Sequence, residues 1–251
     1  MSRYQWLKPP HGWRMVSWEL VVVVVGVLIA LAAQQWAEER SWQGKARAAT
    51  TALKAEVADQ YRYAVEWRVV EPCVLAQIDH LQQRLLASGA RLDPAPVHSE
   101  PGFAFYVIRM PNRNYEESVW QASVTDGVNT HLAANVRRGL NRAYTANRRL
   151  AALNDQNNAA YQRLLSLARP IPLDPMVRFS LLQELEALRG RAELMSHLSG
   201  QSIANWTEAG MIPGQEVARQ ALDRSGTFRF CRTQRLPVRP LTEALRPIAY
   251  Q

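Results

Sequence analysis

Leu20 to Ala33 reads LVVVVVGVLIALAA, with no charged side chain anywhere in it. A bilayer span needs roughly 20 apolar residues at 1.5 Å of rise each, so the flanks must complete this stretch. Trp13 and Trp18 precede it and Trp36 and Trp42 follow it, and indoles gather at the two headgroup levels of a membrane. The 18 steps from Trp18 to Trp36 cover about 27 Å of helix, close to the hydrocarbon thickness. The pattern predicts a transmembrane helix over residues 19–37 behind a short cytoplasmic N-terminus, residues 1–18.

A cleavable signal peptide is the competing reading. The basic start, the apolar middle and the small residues Ala30 and Ala32 fit a cleavage pattern. Against it, helix-compatible sequence continues through AAQQWAEERSWQGKARAATTALKAE, Ala32 to Glu56, without a glycine or proline break near the site. An uncleaved signal anchor is therefore expected. Gly26, Ala30, Ala33 and Ala37 fall at i, i+4, i+7 and i+11. They share one face, on which two anchors could approach closely and form a homodimer; apolar spans are also rich in such residues for no such reason.

Orientation is not decided by charge. Arg3, Lys8 and Arg14 precede the span and Arg40, Lys45 and Arg47 follow it, so the positive-inside count is tied. The chain has two cysteines, Cys73 and Cys231. An even count behind an export-type N-terminus suggests one disulfide in an oxidising compartment, although two buried free thiols would leave the same sequence. The disulfide reading breaks the tie and places the C-terminal domain in the periplasm of a bacterial inner-membrane protein.

Beyond the span, Trp42, Ala46, Ala49, Leu53, Val57, Tyr61 and Ala64 recur near the helical period, so the anchor helix should run on to about Val70. Pro72 should end or kink it, and Leu75, Ile78, Leu81 and Leu85 mark a following amphipathic segment. Residues 91–102 read as a loop, and FAFYVIRM, Phe103 to Met110, as an extended buried segment or a helix start. Helical sequence resumes near Tyr115, turns at Asp126–Gly127 and runs to about Ala168. Asp174 and Pro175 form a cap and first-turn pair for a Leu-rich helix. From Arg224 the chain is rich in Arg and Pro and reads as an irregular tail that could dock on a partner or on lipid. The expected fold is mainly α: a transmembrane helix continuing into a helical bundle over residues 38–223, followed by the tail at 224–251.

Gly26 to Glu56, GVLIALAAQQWAEERSWQGKARAATTALKAE, resembles a family of uncharacterised bacterial single-pass membrane proteins. The likeness rests on the Val-rich span, Gln34, Gln35 and Trp36, then Trp42 and Lys45. The Pro72–Cys73 pair, the Trp120 to Gly127 segment and Cys231 look similar too. The resemblance implies an uncleaved anchor and a helical domain, and it carries no catalytic residues.

The formal charge is +8, with Lys8, Lys45 and Lys54 as the only lysines. A compositional bias toward Arg explains this without a site; an anionic partner such as lipid headgroups is the sharper reading, and no nucleic acid is expected. The mean hydropathy of −0.26 excludes a multi-span transporter. His11, His80, His98, His131 and His197 form no H-E-x-x-H or comparable metal spacing. There is no nucleophile elbow, Walker loop or dinucleotide fingerprint, so no catalytic, metal or cofactor residue is assigned. Arg138, Arg142 and Arg149 share a helix face that is either solvated or anion-binding. Asn205-Trp206-Thr207 matches a glycosylation sequon.

These features point to a non-enzymatic membrane-tethered interaction or scaffold protein of the bacterial envelope, whose partners are the lipid bilayer and an unknown envelope protein. The alternatives are an envelope enzyme with a dispersed site, and a ligand sensor acting through a partner because fewer than about 20 residues precede the span. The anchor reading predicts that membrane-extracted protein has an intact mass near 28.4 kDa. Mass spectrometry showing loss of the first 30 or so residues would identify a signal peptide instead.

Overall fold

The computed structural model describes residues 13–99 and 106–248, with side chains described from Ser17 onward. The fold is mainly α. Helix α1 spans Trp13–Ala87, α2 Ser118–Thr125, α3 Ala134–Leu164, α4 Pro175–Glu208, α5 Gln215–Arg224, α6 Gly226–Thr233 and α7 Leu241–Ala244. Two-residue strands β1, Arg91–Leu92, and β2, Ile171–Pro172, pair antiparallel with Leu92 opposite Ile171. Tight 3-10 turns follow α2 at Val128–His131 and α3 at Leu165–Ala168.

The chain divides into two compact units, Met1–Ala49 and Thr50–Gln251. In the first, every described side chain from Ser17 to Ser41 is exposed, including the valine run. Among the described residues α1 is the one helix long and apolar enough to cross a membrane. The boundary falls later than the residue 37 edge of the apolar stretch because Leu53 is the first side chain of α1 to be fully buried.

In the second unit α1 is the central helix. Ala64 to Val70 are buried without interruption, which an amphipathic surface helix never shows. Helices α3 and α4 pack side by side, running antiparallel, since Gly139 lies against Ala209 and Arg163 against Glu184. Gly139 is required there: a Cβ would sit 2.5 Å from the Asn205 carbonyl oxygen. Asp174 caps α4 by accepting from the Val177 amide at 2.8 Å, with Pro175 in the first turn, as its sequence predicts. Arg178, one turn in, donates to the carbonyls of Leu85, Ser88 and Gly89 and closes the C-terminus of α1.

Three expectations change. First, Pro72 does not end the helix; α1 continues through it to Ala87. A proline leaves the carbonyl four residues back without a helical donor. Here the Arg68 carbonyl accepts from the Arg239 guanidinium at 2.7 Å, and the Val69 carbonyl accepts from the Arg239 amide at 2.9 Å. The break is repaired from outside the helix.

Second, the segment from Arg224 is not an irregular tail. It folds as α6 and α7, and Ser225, Cys231 and Ala244 are completely buried. Arg239 bonds Glu71, Arg68 Nε donates to the Ala244 carbonyl at 3.2 Å, and Ile248 packs on Gly200 of α4. Residues 224–248 therefore belong to the same domain as 50–223. Third, Phe103 to Phe105 lie outside the described residues, but Tyr106 pairs with His98 in a single antiparallel bridge. Val107, Ile108 and Met110 follow as buried, non-helical chain. Of the two readings of FAFYVIRM, the helix start fails over Tyr106–Met110, where the chain is non-helical and bends at Val107 and Ile108.

Replacing Arg239 by Ala should destabilise the domain by roughly 2–4 kcal/mol, because the Arg68 carbonyl and the half-buried Glu71 carboxylate lose the guanidinium together. Denaturant unfolding of the detergent-solubilised chain measures this. A change below about 0.5 kcal/mol would mean that the covalent link at Cys231 holds the segment without help.

Candidate binding groove

Cys73 and Cys231 are joined in a disulfide, with Cα atoms 5.9 Å apart and both side chains fully buried. One turn further along α1, the Gln77 amide holds both main-chain groups of a single residue, Arg109, in the non-helical segment after Tyr106. Its Oε1 accepts from the Arg109 N–H at 2.7 Å and its Nε2 donates to the Arg109 carbonyl at 2.9 Å. The disulfide thus fixes α6, and Gln77 fixes residues 106–110, on adjacent turns of the same helix.

Between them lies a groove of about 480 Å³, inside the range of roughly 300–1,000 Å³ typical of ligand sites. Its apolar walls include Ala76 and Leu81 of α1, Val107, and Phe230 and Leu236 at α6. Its polar rim carries Asp79, His80, Gln83, His98 and Gln234. Asp79 is engaged in an ion pair with Arg189 of α4. The His98 ring packs edge-on against Phe230 with centroids 4.7 Å apart, and burial lowers its pKa below the ordinary 6.5. At pH 7 the ring is therefore neutral. The groove offers an aromatic edge, aliphatic walls and amide groups, with no paired nucleophile and base among the described residues that line it.

The carboxylates Glu66 and Glu56 of α1 are both engaged in structural hydrogen bonds. Glu66, 2% exposed, accepts both Arg113 nitrogens at 2.6 and 2.8 Å and also the Ser225 hydroxyl. That hydroxyl in turn accepts from the Phe228 amide and caps α6. Glu56 accepts from the Val119 and Trp120 amides at the start of α2 and from the Tyr144 hydroxyl. Burial, then the Glu56 hydrogen bond and charge, push the Tyr144 hydroxyl far above its ordinary range, so it stays a donor. A small cleft of about 130 Å³ beside Glu56, Asp59 and Glu116 is acidic, yet no group of three potential metal ligands occurs among the described residues.

The residues singled out in the sequence are distributed as follows. The cysteines meet. Arg138 and Arg142 both pair with Glu208, at 3.5 and 3.2 Å, while Arg149 is exposed separately; the expected anion-binding trio is in large part an ion-pair face between α3 and α4. Trp18 and Trp36 are exposed, Arg40 lies over the Trp36 ring at 4.6 Å and Lys45 over Trp42 at 4.4 Å. The Trp13 side chain lies outside the described residues. Gly26, Ala30, Ala33 and Ala37 are exposed, with no atom near the Gly26 position. Asn205 of the sequon is buried, so the folded domain cannot present it for glycosylation.

Gln77, His98 and Phe230 were not legible as a site. The one available signal was a polar residue four positions after Cys73 on the apolar face of α1, where an amide needs partners.

No protein-family profile, curated protein or solved structure matches this chain.

Replacing Gln77 by Leu should cost about 1–3 kcal/mol, since the half-buried Arg109 N–H and carbonyl lose their partner. Hydrogen exchange resolves the effect: the Arg109 amide should lose protection while amides in α3 and α4 keep theirs. Uniform loss across the domain would mean that Gln77 supports the core rather than the groove wall.

Proposed function

We propose that this chain is a single-pass membrane-anchored binding protein of the bacterial envelope, non-enzymatic, with its disulfide-stapled helical domain in the periplasm and its groove as the contact for a partner. One observation carries the reading: the same polypeptide holds a fully exposed apolar helix and a fully buried disulfide. An exposed valine run is favourable in lipid and costly in water, and a disulfide persists in an oxidising compartment. The apolar walls and amide rim of the groove suit recognition better than catalysis. In this reading Trp18 and Trp36 sit at the two headgroup levels, and Arg40 and Lys45 stack on indoles at the outer one.

The experiment is a fusion after Gln251 of a reporter active only in the cytoplasm, expressed beside a carbonate wash of the membranes. A silent reporter and a chain retained in the washed membrane are expected. A bright reporter would reverse the topology, and release by carbonate would remove the anchor.

A further inference from the structure

α6 and the residues just after it interleave two kinds of side chain. Phe230, Gln234 and Leu236 line the groove, whereas Arg229, Arg232 and Arg235 are exposed between them. With Arg224 these arginines form an uninterrupted basic stretch, because no Asp or Glu occurs from residue 224 to residue 242. Several other arginines of the domain are matched by carboxylates: Arg113 by Glu66, Arg163 by Glu184, Arg189 by Asp79, and, within this stretch, Arg239 by Glu71. Arg229, Arg232 and Arg235 make no ion pair within the described residues.

The array is also rigid. Cys231 is covalently tied to α1, and Ser225 anchors the start of α6 through Glu66. At the end of α6 the Leu236 amide reaches back to the Cys231 carbonyl at 2.9 Å and the Arg235 amide to the Arg232 carbonyl at 3.1 Å. This closure places Arg235 at φ 56, a left-handed position that ordinarily takes glycine. A long charged side chain is thereby kept at a position where the backbone favours having none.

The groove itself shows what it can recognise. Gln77 already pairs its amide with the N–H and carbonyl of one non-helical residue, Arg109. Gln83 and Gln234 present the same donor and acceptor pair at the groove rim, exposed and without a side-chain partner among the described residues. Resting on the groove reading above, we infer that the partner is an acidic peptide segment, bound extended. An apolar side chain of the segment would fill the space between Leu81 and Phe230, its backbone would pair with Gln83 and Gln234, and flanking carboxylates would meet Arg229, Arg232 and Arg235. Carboxylates fit the forked guanidinium donors, and complementary charge adds specificity and association rate to the apolar contact.

The test uses the full chain in neutral-lipid nanodiscs as bait for a displayed library of random dodecapeptides. Enriched peptides should carry Asp or Glu around Leu, Ile or Phe. Their affinity should fall by about tenfold or more in the R229Q/R232Q/R235Q variant and weaken with salt. Ala76→Phe fills the groove from α1 and should abolish binding; Gln234→Trp fills it from an exposed position, so the test survives if the first substitution disturbs folding. Enriched peptides that lack acidic residues but are blocked by both filling variants would overturn the charge assignment while keeping the groove. Peptides that bind the filled variants equally well, or no enrichment, would overturn the groove reading and this inference together. Displacement of the acidic peptides by dodecanoate, but not by unlabelled acidic peptide, would reassign the groove to an amphiphile.

Discussion

The Arg68 carbonyl, which Pro72 leaves without a helical donor, is the constraint around which the domain is arranged. An unpaired buried carbonyl costs as much as a lost hydrogen bond, so a helix buried on all sides cannot carry a proline unless another part of the fold supplies donors. Arg239 supplies one with its guanidinium, and its own amide bonds the adjacent Val69 carbonyl. Its remaining donors go to Glu71 and Ser196. Because one residue meets α1 and α4 at once, the C-terminal segment completes the core rather than decorating it.

The same logic extends along α1. Glu56 closes the start of α2, Gln60 donates to the Glu116 carbonyl at 2.7 Å, Glu66 binds Arg113 and Ser225, and Gln77 holds Arg109. The chain between α1 and α3 contains little regular structure, so its backbone groups cannot satisfy one another. Side chains projecting from one central helix satisfy them instead. Such contacts add modest net stability individually but define which arrangement of the irregular chain is acceptable, since any other leaves a charge or an amide buried without a partner.

What could be read in the sequence follows from how local each cause is. The apolar span, the helical period from Trp42 to Ala64 and the Asp174–Pro175 start depend on neighbours a few residues away, and they were legible. The cysteine pairing was legible because only one pairing exists within a chain of two cysteines. The continuation through Pro72 was not, since its remedy comes from Arg239 at the other end of the domain. The ordered residues after Arg224 looked like a tail because Arg and Pro dominate them, while Glu66, Glu71 and Cys73, which hold them, lie on α1. The Arg138–Arg142 face read as a positive surface for the same reason: Glu208, which answers it, sits at the end of α4.

The separation of 158 residues between Cys73 and Cys231 has a consequence for biosynthesis. At translation rates of about 5–20 residues per second, Cys73 waits roughly 8–30 s after its own synthesis before its partner exists. During that interval no other thiol in the chain can capture it, so internal mispairing is impossible, but an oxidase or a second nascent chain can. The segment from α6 to Arg239, made long after α1, retires this thiol and covers the Arg68 carbonyl at Pro72. A chain that stops early would expose a reactive cysteine beside a helix whose Arg68 carbonyl has no donor.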